Sequence, residues 1–251
     1  MRSLLSNLSS DFLVNCTKFV QRLIAPSCLL CAGASAGALL CAPCDADLPR
    51  LGGSLCDCCA LPITSGDRCG ACLTHPPAYD HVCAPYTYAF PADALVQALK
   101  YRGMLAIAPL FGGALARCLD ERPDVIVPMP LADARLRERG FNQAQEIARH
   151  AARITGITLL ARACRKVRDT QPQAALPWKE RAKNMRHAFV CDADFSGKHV
   201  AIVDDVMTTG ATLNELARNL KKAGAARVTG LVVARTLPGA FKRQAPDVCD
   251  V

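Results

Sequence analysis

The sequence predicts an α/β protein, an open and mostly parallel sheet with helices on both faces, preceded by a small Cys-rich module. Three observations predict it. Apolar runs of strand length alternate with segments of helical period between Tyr86 and Ala234. The run His199–Val203 leads through Asp204 and Asp205 into a Thr/Gly loop, then into a helical pattern of Leu213, Leu216, Ala217, Leu220 and Ala223. Four Cys-x2-Cys pairs lie between Cys28 and Cys72.

Composition sets the bounds. A chain of 251 residues, 51% of them apolar, has room for one medium domain and a satellite with a real core. Aromatic residues are only 5%, which weighs against a platform for stacking bases. The net charge of +8 is local: residues 135–186 carry 13 Lys/Arg against 4 Asp/Glu, leaving the remainder near −1. That surface is either a solvated face or an anion site. Met1–Asn7 lacks the unbroken apolar core of a signal peptide, and no stretch of 18 apolar residues is present. A cytoplasmic location is expected, in which fifteen cysteines point to metal before disulfides.

Residues 10–24 place Phe12, Cys16, Phe19, Val20 and Leu23 on one helical stripe behind Ser10 as N-cap. With few basic residues beside it, this helix is expected to dock on its own domain rather than on a membrane surface. The cysteines that follow form an internal repeat. Cys28-x2-Cys31 precedes Cys41-x2-Cys44 by nine residues, Cys56-x2-Cys59 precedes Cys69-x2-Cys72 by nine, and the two units start 28 residues apart. Each knuckle turns two thiolates toward one ion, and two knuckles complete a tetrahedral shell. Sequential pairing puts Cys28, Cys31, Cys41 and Cys44 on one zinc and Cys56, Cys59, Cys69 and Cys72 on another. A cross-braced pairing, or Cys58 in place of a neighbour, fits the spacing too. Four thiolates leave no open position, so these are structural sites.

Residues 73–85, with Pro76, Pro77 and Pro85, read as a linker. A strand is expected over Tyr86–Phe90, then a helix from Asp93 to Lys100 that Gly103 terminates. A helix over Pro109–Leu119 follows, and a strand from Val125 stopped by Pro128 and Pro130. Arg135–Gln143 reads as a charged, mobile loop, 144–155 as helix, Ile157–Leu160 as strand, and 162–186 as a loop followed by a short helix. After a turn at Ser196–Lys198 come the strand from His199, the Thr/Gly loop and its helix. Ala223-Gly224-Ala225 closes that helix, and Arg227–Ala234 is the last strand. The expected organisation is an N-terminal amphipathic helix over 1–25, a double zinc ribbon over 26–75, the main domain over 76–240 and a tail over 241–251.

Ligands of open parallel sheets bind beyond the strand C-termini, where Asp204 to Thr212 falls. Helix-start amides and hydroxyls suit a phosphate, and paired carboxylates accept from sugar hydroxyls. No Gly-x4-Gly-Lys-Ser/Thr run occurs, so an ATPase has no support.

Val200-Ala201-Ile202-Val203-Asp204-Asp205-Val206-Met207-Thr208-Thr209-Gly210-Ala211-Thr212 resembles the phosphoribosyl pyrophosphate (PRPP) motif of type I phosphoribosyltransferases. From Cys28 to Thr236 the chain resembles the ComF family of competence-associated, phosphoribosyltransferase-like proteins. The supporting segments are the Cys knuckles, Leu99-Lys100-Tyr101-Arg102-Gly103, Arg139-Gly140-Phe141-Asn142-Gln143, and Thr170-Gln171 with Arg181 and Asn184. The resemblance implies that Asp204 and Asp205 bind the ribose hydroxyls, that Thr208, Thr209, Gly210 and Thr212 wrap the 5-phosphate, and that Met207 and Ala211 also belong to the PRPP-binding stretch. Lys100 would stand near the pyrophosphate, with Arg137 and Arg139 on a loop closing over it. Asp204, Asp205, Lys100 and Arg139 are thus the candidate catalytic residues, with Mg²⁺ arriving alongside PRPP.

Two functions follow from the resemblance. One is an enzyme that transfers phosphoribosyl to an unknown acceptor and releases pyrophosphate, in DNA uptake or processing. The other is a non-catalytic, PRPP-responsive protein that binds single-stranded DNA or the competence machinery through its basic segment.

Overall fold

The computed structural model describes residues 27–167 and 188–238. The predicted helix over 10–24, Thr170, Gln171, Arg181, Asn184 and the tail over 241–251 lie outside them. The chain divides into two compact units, Met1–Leu48 and Pro49–Val251. The division falls inside the cysteine repeat, so each unit holds one pair of knuckles.

The repeat is visible in the backbone. Cys28 N donates to Gly33 O at 2.7 Å and Cys56 N to Leu61 O at 2.8 Å. Ala32 N donates to Cys28 O at 2.8 Å, and Ala60 N to Cys56 O at 2.9 Å. Ala32 and Ala60 both take positive φ, 59° and 55°, to turn the chain behind the second cysteine of each knuckle. Cys41 and Cys69 then stand as N-caps of two short helices, α1 (Ala42–Ala46) and α2 (Gly70–Thr74).

In the larger unit the strands are β1 (His81–Cys83), β2 (Tyr86–Thr87), β3 (Val125–Pro128), β4 (Thr158–Leu159), β5 (Cys164–Lys166), β6 (Phe189–Cys191), β7 (His199–Met207) and β8 (Arg227–Arg235). A parallel sheet runs in the order β1-β8-β7-β3-β4, with β2 pairing further along β8. A separate antiparallel pair joins β5 to β6. The helices are α3 (Ala92–Arg102), α4 (Ala108–Arg117), α5 (Asp133–Arg139), α6 (Gln143–Thr155) and α7 (Ala211–Lys222).

The centre of the sheet is β7, whose Val200, Ala201, Ile202 and Val203 are fully buried. Alternate residues face opposite sides, and Val200 and Ile202 pack in one cluster with Leu213, Leu216 and Leu220 of α7. Helices α4 and α6 pack against each other. A Cβ on Gly112 would lie 2.5 Å from the Cβ of His150 and 2.9 Å from the Ile147 carbonyl, so only glycine permits this approach.

Four expectations are corrected. The stretch 73–85 is not merely a linker, because His81–Cys83 pairs with Thr229–Leu231 as a sheet strand. The strand expected over Tyr86–Phe90 is Tyr86–Thr87 alone, since the chain turns at Phe90-Pro91 into α3. Arg135–Gln143 is not a mobile loop: it is mostly α5, which Gly140 ends at φ 79°, and Asn142 then caps α6 with its side chain. Within 162–186, Cys164–Lys166 is strand rather than loop. Among the described cysteines, Cys83 of β1 and Cys118 after α4 are joined as a disulfide.

Candidate functional site

Strand β7 runs on through both carboxylates before it ends. Lys100, near the end of α3, reaches the Asp205 carboxylate, Nζ to Oδ1 at 2.8 Å. Asp205 is only 4% exposed, and its Oδ2 is buried with no hydrogen-bond partner among the described residues. Burial alone would lower the Lys100 ammonium, but the Asp205 carboxylate outweighs it and holds the pKa above its ordinary value. Asp204, half-buried, accepts the Asp205 amide on Oδ1 at 2.9 Å. Its carboxyl is pushed up to about 7, chiefly by desolvation and next by the Asp205 charge, with Lys100 opposing.

The loop after β7 turns on Gly210, at φ 79°, which is the N-cap residue of α7. Thr209 Oγ1 accepts the Ala211 amide at 3.2 Å, and Asn214 N donates to Gly210 O at 2.8 Å. The half-buried Thr208, Thr209, Ala211 and Thr212 surround this helix start, where amides and helix dipole favour an anion. Met207 is instead buried in the core and forms the wall behind the loop. A Cβ on Gly210 would stand 2.7 Å from Met207 Cε and 3.0 Å from Tyr79 Oη, at a φ that L side chains avoid. Gly210→Ala is therefore expected to cost about 1–3 kcal/mol, read as a lower midpoint in thermal unfolding. An unchanged midpoint would show that the loop is not constrained there.

Of the two arginines expected to close over the site, Arg139 is half-buried and Arg137 exposed. Arg139 lies over the Tyr101 ring, 5.5 Å from its centroid, and donates from Nη1 to Gln143 Oε1 at 2.5 Å. Asn142 Nδ2 donates to Met129 O at 3.0 Å, and Met129 N to Val203 O at 2.8 Å, which ties the α5–α6 junction to the strand beside Asp204. Arg137 is exposed on α5.

The eight cysteines gather as the sequential pairing expects, Cys28, Cys31, Cys41 and Cys44 in one group and Cys56, Cys59, Cys69 and Cys72 in the other. In each group the sulfurs lie within 4.8 Å of one another. Zinc–sulfur bonds of about 2.3 Å set tetrahedral edges of about 3.8 Å, and Cys31–Cys41 and Cys59–Cys69 are 3.7 and 3.6 Å apart. Cys28 is lowered to about 6, first by the Cys31 and then by the Cys41 amide. For Cys56 burial opposes ionisation, but the amides of Cys69, Cys59 and Cys58 outweigh it and bring the thiol to about 7. Thiolate-stabilising amides at the same place in both repeats fit a divalent zinc ion. Cys58 stays out of the group, its thiol 3.9 Å from the Tyr79 carbonyl.

Sequence reasoning missed three residues beneath the loop. Arg235 ends β8 and is buried, donating to the carbonyls of Cys59, Met207, Thr208 and Thr236. Burial lowers its guanidinium below the ordinary value. Tyr79 lies under Gly210, and Asn214 Oδ1 accepts the Ala78 amide at 2.6 Å. A signal existed for Arg235, since a charge closing an otherwise fully buried strand needs partners.

Among the described residues, no helix is long and apolar enough to cross a membrane. A model of the phosphoribosyl transferase domain matches residues 110–250, and one of the double zinc ribbon domain matches residues 19–73. The chain is 35% identical to the DNA utilization protein YhgH of Salmonella typhimurium over 73% of this chain and 85% of that one. It is 31% identical to competence protein F of Haemophilus influenzae, over 67% and 78%. With competence protein ComFC of Bacillus subtilis the identity is 26%, over 78% and 84%. A sheet ending in paired acids and a Thr/Gly loop, the two four-cysteine groups and these relatives converge: the chain belongs to the ComF family, phosphoribosyltransferase-like proteins with an N-terminal double zinc ribbon.

Proposed function

We propose that the chain binds PRPP with Mg²⁺ at Asp204–Thr212 and transfers its phosphoribosyl group to an acceptor in DNA uptake or utilisation. The observation that carries this is the buried Asp205 carboxylate, paired through Oδ1 with Lys100 and left unsatisfied at Oδ2, one turn of loop from the α7 N-terminus. An unmatched buried acceptor costs about 1–3 kcal/mol unless something donates to it, and a ribose hydroxyl is a donor of the right kind. The amides and hydroxyls of Thr208 to Thr212 receive the 5-phosphate. Asp204 and Asp205 are hard oxygen donors suited to Mg²⁺, which supplies charge neutralisation on the pyrophosphate and is held mostly by substrate and water.

In the transfer, an acceptor nitrogen forms a bond to the anomeric carbon while the bond from that carbon to pyrophosphate breaks. Lys100 and Arg139 face the negative charge gathering on the leaving group. The relatives' names, which speak of DNA utilization and competence, support a role in DNA handling. The test is a pyrophosphate-release screen with PRPP and Mg²⁺ against bases, nucleosides and DNA ends. Release with one acceptor class identifies it; failure of PRPP to give any calorimetric response removes the proposal.

A second reading, a non-catalytic PRPP-responsive binder of single-stranded DNA, is favoured by one surface. Tyr101 is 73% exposed beneath Arg139, and α5 carries Arg135 and Arg137 beside it. An open ring can stack a base and the arginines can release counterions from phosphates. Replacing Arg137 and Arg139 together by Ala is expected to weaken oligonucleotide binding and lower the magnitude of its salt slope by about 1.4. An unchanged slope would sink this reading.

A further inference from the structure

We propose that the second cysteine group, with Arg235 as its strut, is a positioning device for the phosphate loop, so that metal in this ribbon sets the loop's ability to hold a ligand. The anion at that loop rests on the function proposed above; the mechanical link does not.

The link is made of hydrogen bonds and packing within one compact unit. Arg235 Nε donates to the Cys59 carbonyl at 3.0 Å. Its Nη1 donates to Met207 O at 2.9 Å and Thr236 O at 3.0 Å, and also to Thr208 O. One rigid guanidinium thus bridges the backbone of a cysteine of the second group, the last residue of β7 and the first residue of the loop. Three further contacts run in parallel. Thr236 N donates to Met207 O at 3.0 Å, Ala78 N donates to Asn214 Oδ1 at 2.6 Å, and Tyr79 fills the space beneath Gly210. Cys56, Cys59, Cys72, Tyr79, Met207 and Leu213 share one buried cluster.

Each contact constrains the loop from below. The carbonyls of Met207 and Thr208, turned down onto Arg235, fix the peptide planes from which the loop leaves β7. The Cys59 carbonyl keeps its place because the Cys56–Cys59 knuckle is wrapped around the metal position, with Ala60 at positive φ. Without the metal, the knuckle keeps its turn hydrogen bonds and its burial but loses the ion that would tie Cys56 and Cys59 to Cys69 and Cys72. A buried arginine is suited to the task, because its planar fork reaches acceptors in fixed directions that a lysine cannot reach together. Arg235 touches no substrate in this scheme and is a positioning residue.

The test uses the full zinc-loaded chain as wild type, Arg235→Met, Arg235→Lys, Cys59→Ser and the double variant that combines Arg235→Met with Cys59→Ser. Bound zinc, hydrogen exchange over Met207–Thr212 and affinity for PRPP with Mg²⁺ are measured on each. Arg235→Met is expected to keep the wild-type zinc content while loop exchange quickens at least tenfold and PRPP binding weakens at least tenfold. Arg235→Lys should restore part of both. Cys59→Ser keeps the carbonyl but loses a ligand, and should quicken loop exchange by a similar factor, with no further gain in the double variant.

Multiplicative effects in the double variant, or unchanged loop exchange in Arg235→Met, would overturn the strut. If Arg235→Met does not fold, the milder Arg235→Lys carries the comparison, and wild-type exchange there overturns the inference equally. A wild type deaf to PRPP whose loop exchange still follows this pattern would refute the proposed function and leave the coupling standing.

Discussion

Asp205→Ala is expected to abolish the calorimetric response to PRPP with Mg²⁺ and to destabilise the fold by about 3–5 kcal/mol. The two effects have separate origins. Binding is lost with the acceptor oxygen that no described residue satisfies. Stability is lost because Lys100, whose side chain is 20% exposed, is left as a buried charge without its 2.8 Å partner. Replacing both Lys100 and Asp205 by Met should recover much of the stability and none of the binding. Thermal unfolding and titration of the single and double variants test this, and a double variant less stable than Asp205→Ala would refute the account.

Asp204 adds a pH dependence of known sign. Its carboxyl titrates near 7 in the folded chain, above its ordinary value of 3.8. The folded state therefore holds a proton that the unfolded state has released, and stability declines as pH rises from about 4 to about 7. Affinity for PRPP with Mg²⁺ should move oppositely, rising through pH 7 as Asp204 ionises. Asp204→Asn should flatten the stability profile over that window and remove the binding. A profile that stays steep in the variant would assign the titration to another group.

Stripping zinc with a strong chelator is expected to unfold the described part of the Met1–Leu48 unit outright. Among its described residues only Cys28, Ser35, Leu40 and Leu48 are buried, far too little apolar surface to offset the ordering of the chain. Structural zinc in such small modules supplies about 10–16 kcal/mol of apparent binding energy, which is folding energy. Metal analysis should find two zinc ions per reduced chain, and Cys31→Ser and Cys44→Ser should each lose one. The measurement is zinc content alongside amide protection over 27–48. Full protection after complete zinc loss would exclude a metal-built fold.

Much of this was written in residue type and spacing. The 28-residue offset in the cysteines reappears as matching hydrogen bonds at Cys28 and Cys56, because a knuckle's turn is set within six residues. The strand, the positive-φ glycine and the helix start around Asp204 to Gly210 were legible because each is local, although β7 runs on through both acids to Met207 instead of ending before them. What escaped depends on distant partners. His81–Cys83 has no periodicity to announce it, being three residues that become a strand only by pairing with Thr229–Leu231. The α5 helix was masked by its charges, which read as loop although Arg135 and Glu138 sit at helical spacing and pair at 3.3 Å. For Arg235 the sequence signals only that a charge closing an apolar strand needs partners, and which ones is hidden because they come from Cys59 and Thr208, far away in the chain.

The sheet order has a consequence for how the molecule is made. His81 and Tyr86 leave the ribosome early, yet their pairing partners are Thr229 and Ala234 on β8. At about 5–20 residues per second, that leaves roughly 7–30 s during which β1 and β2 wait unpaired. The carboxylate strand β7 likewise lacks one flank until β8 emerges, and the loop lacks its underpinning until Arg235 does. Nascent chains are thus exposed to edge-to-edge association until β8 emerges, and ligand competence arrives only with that strand.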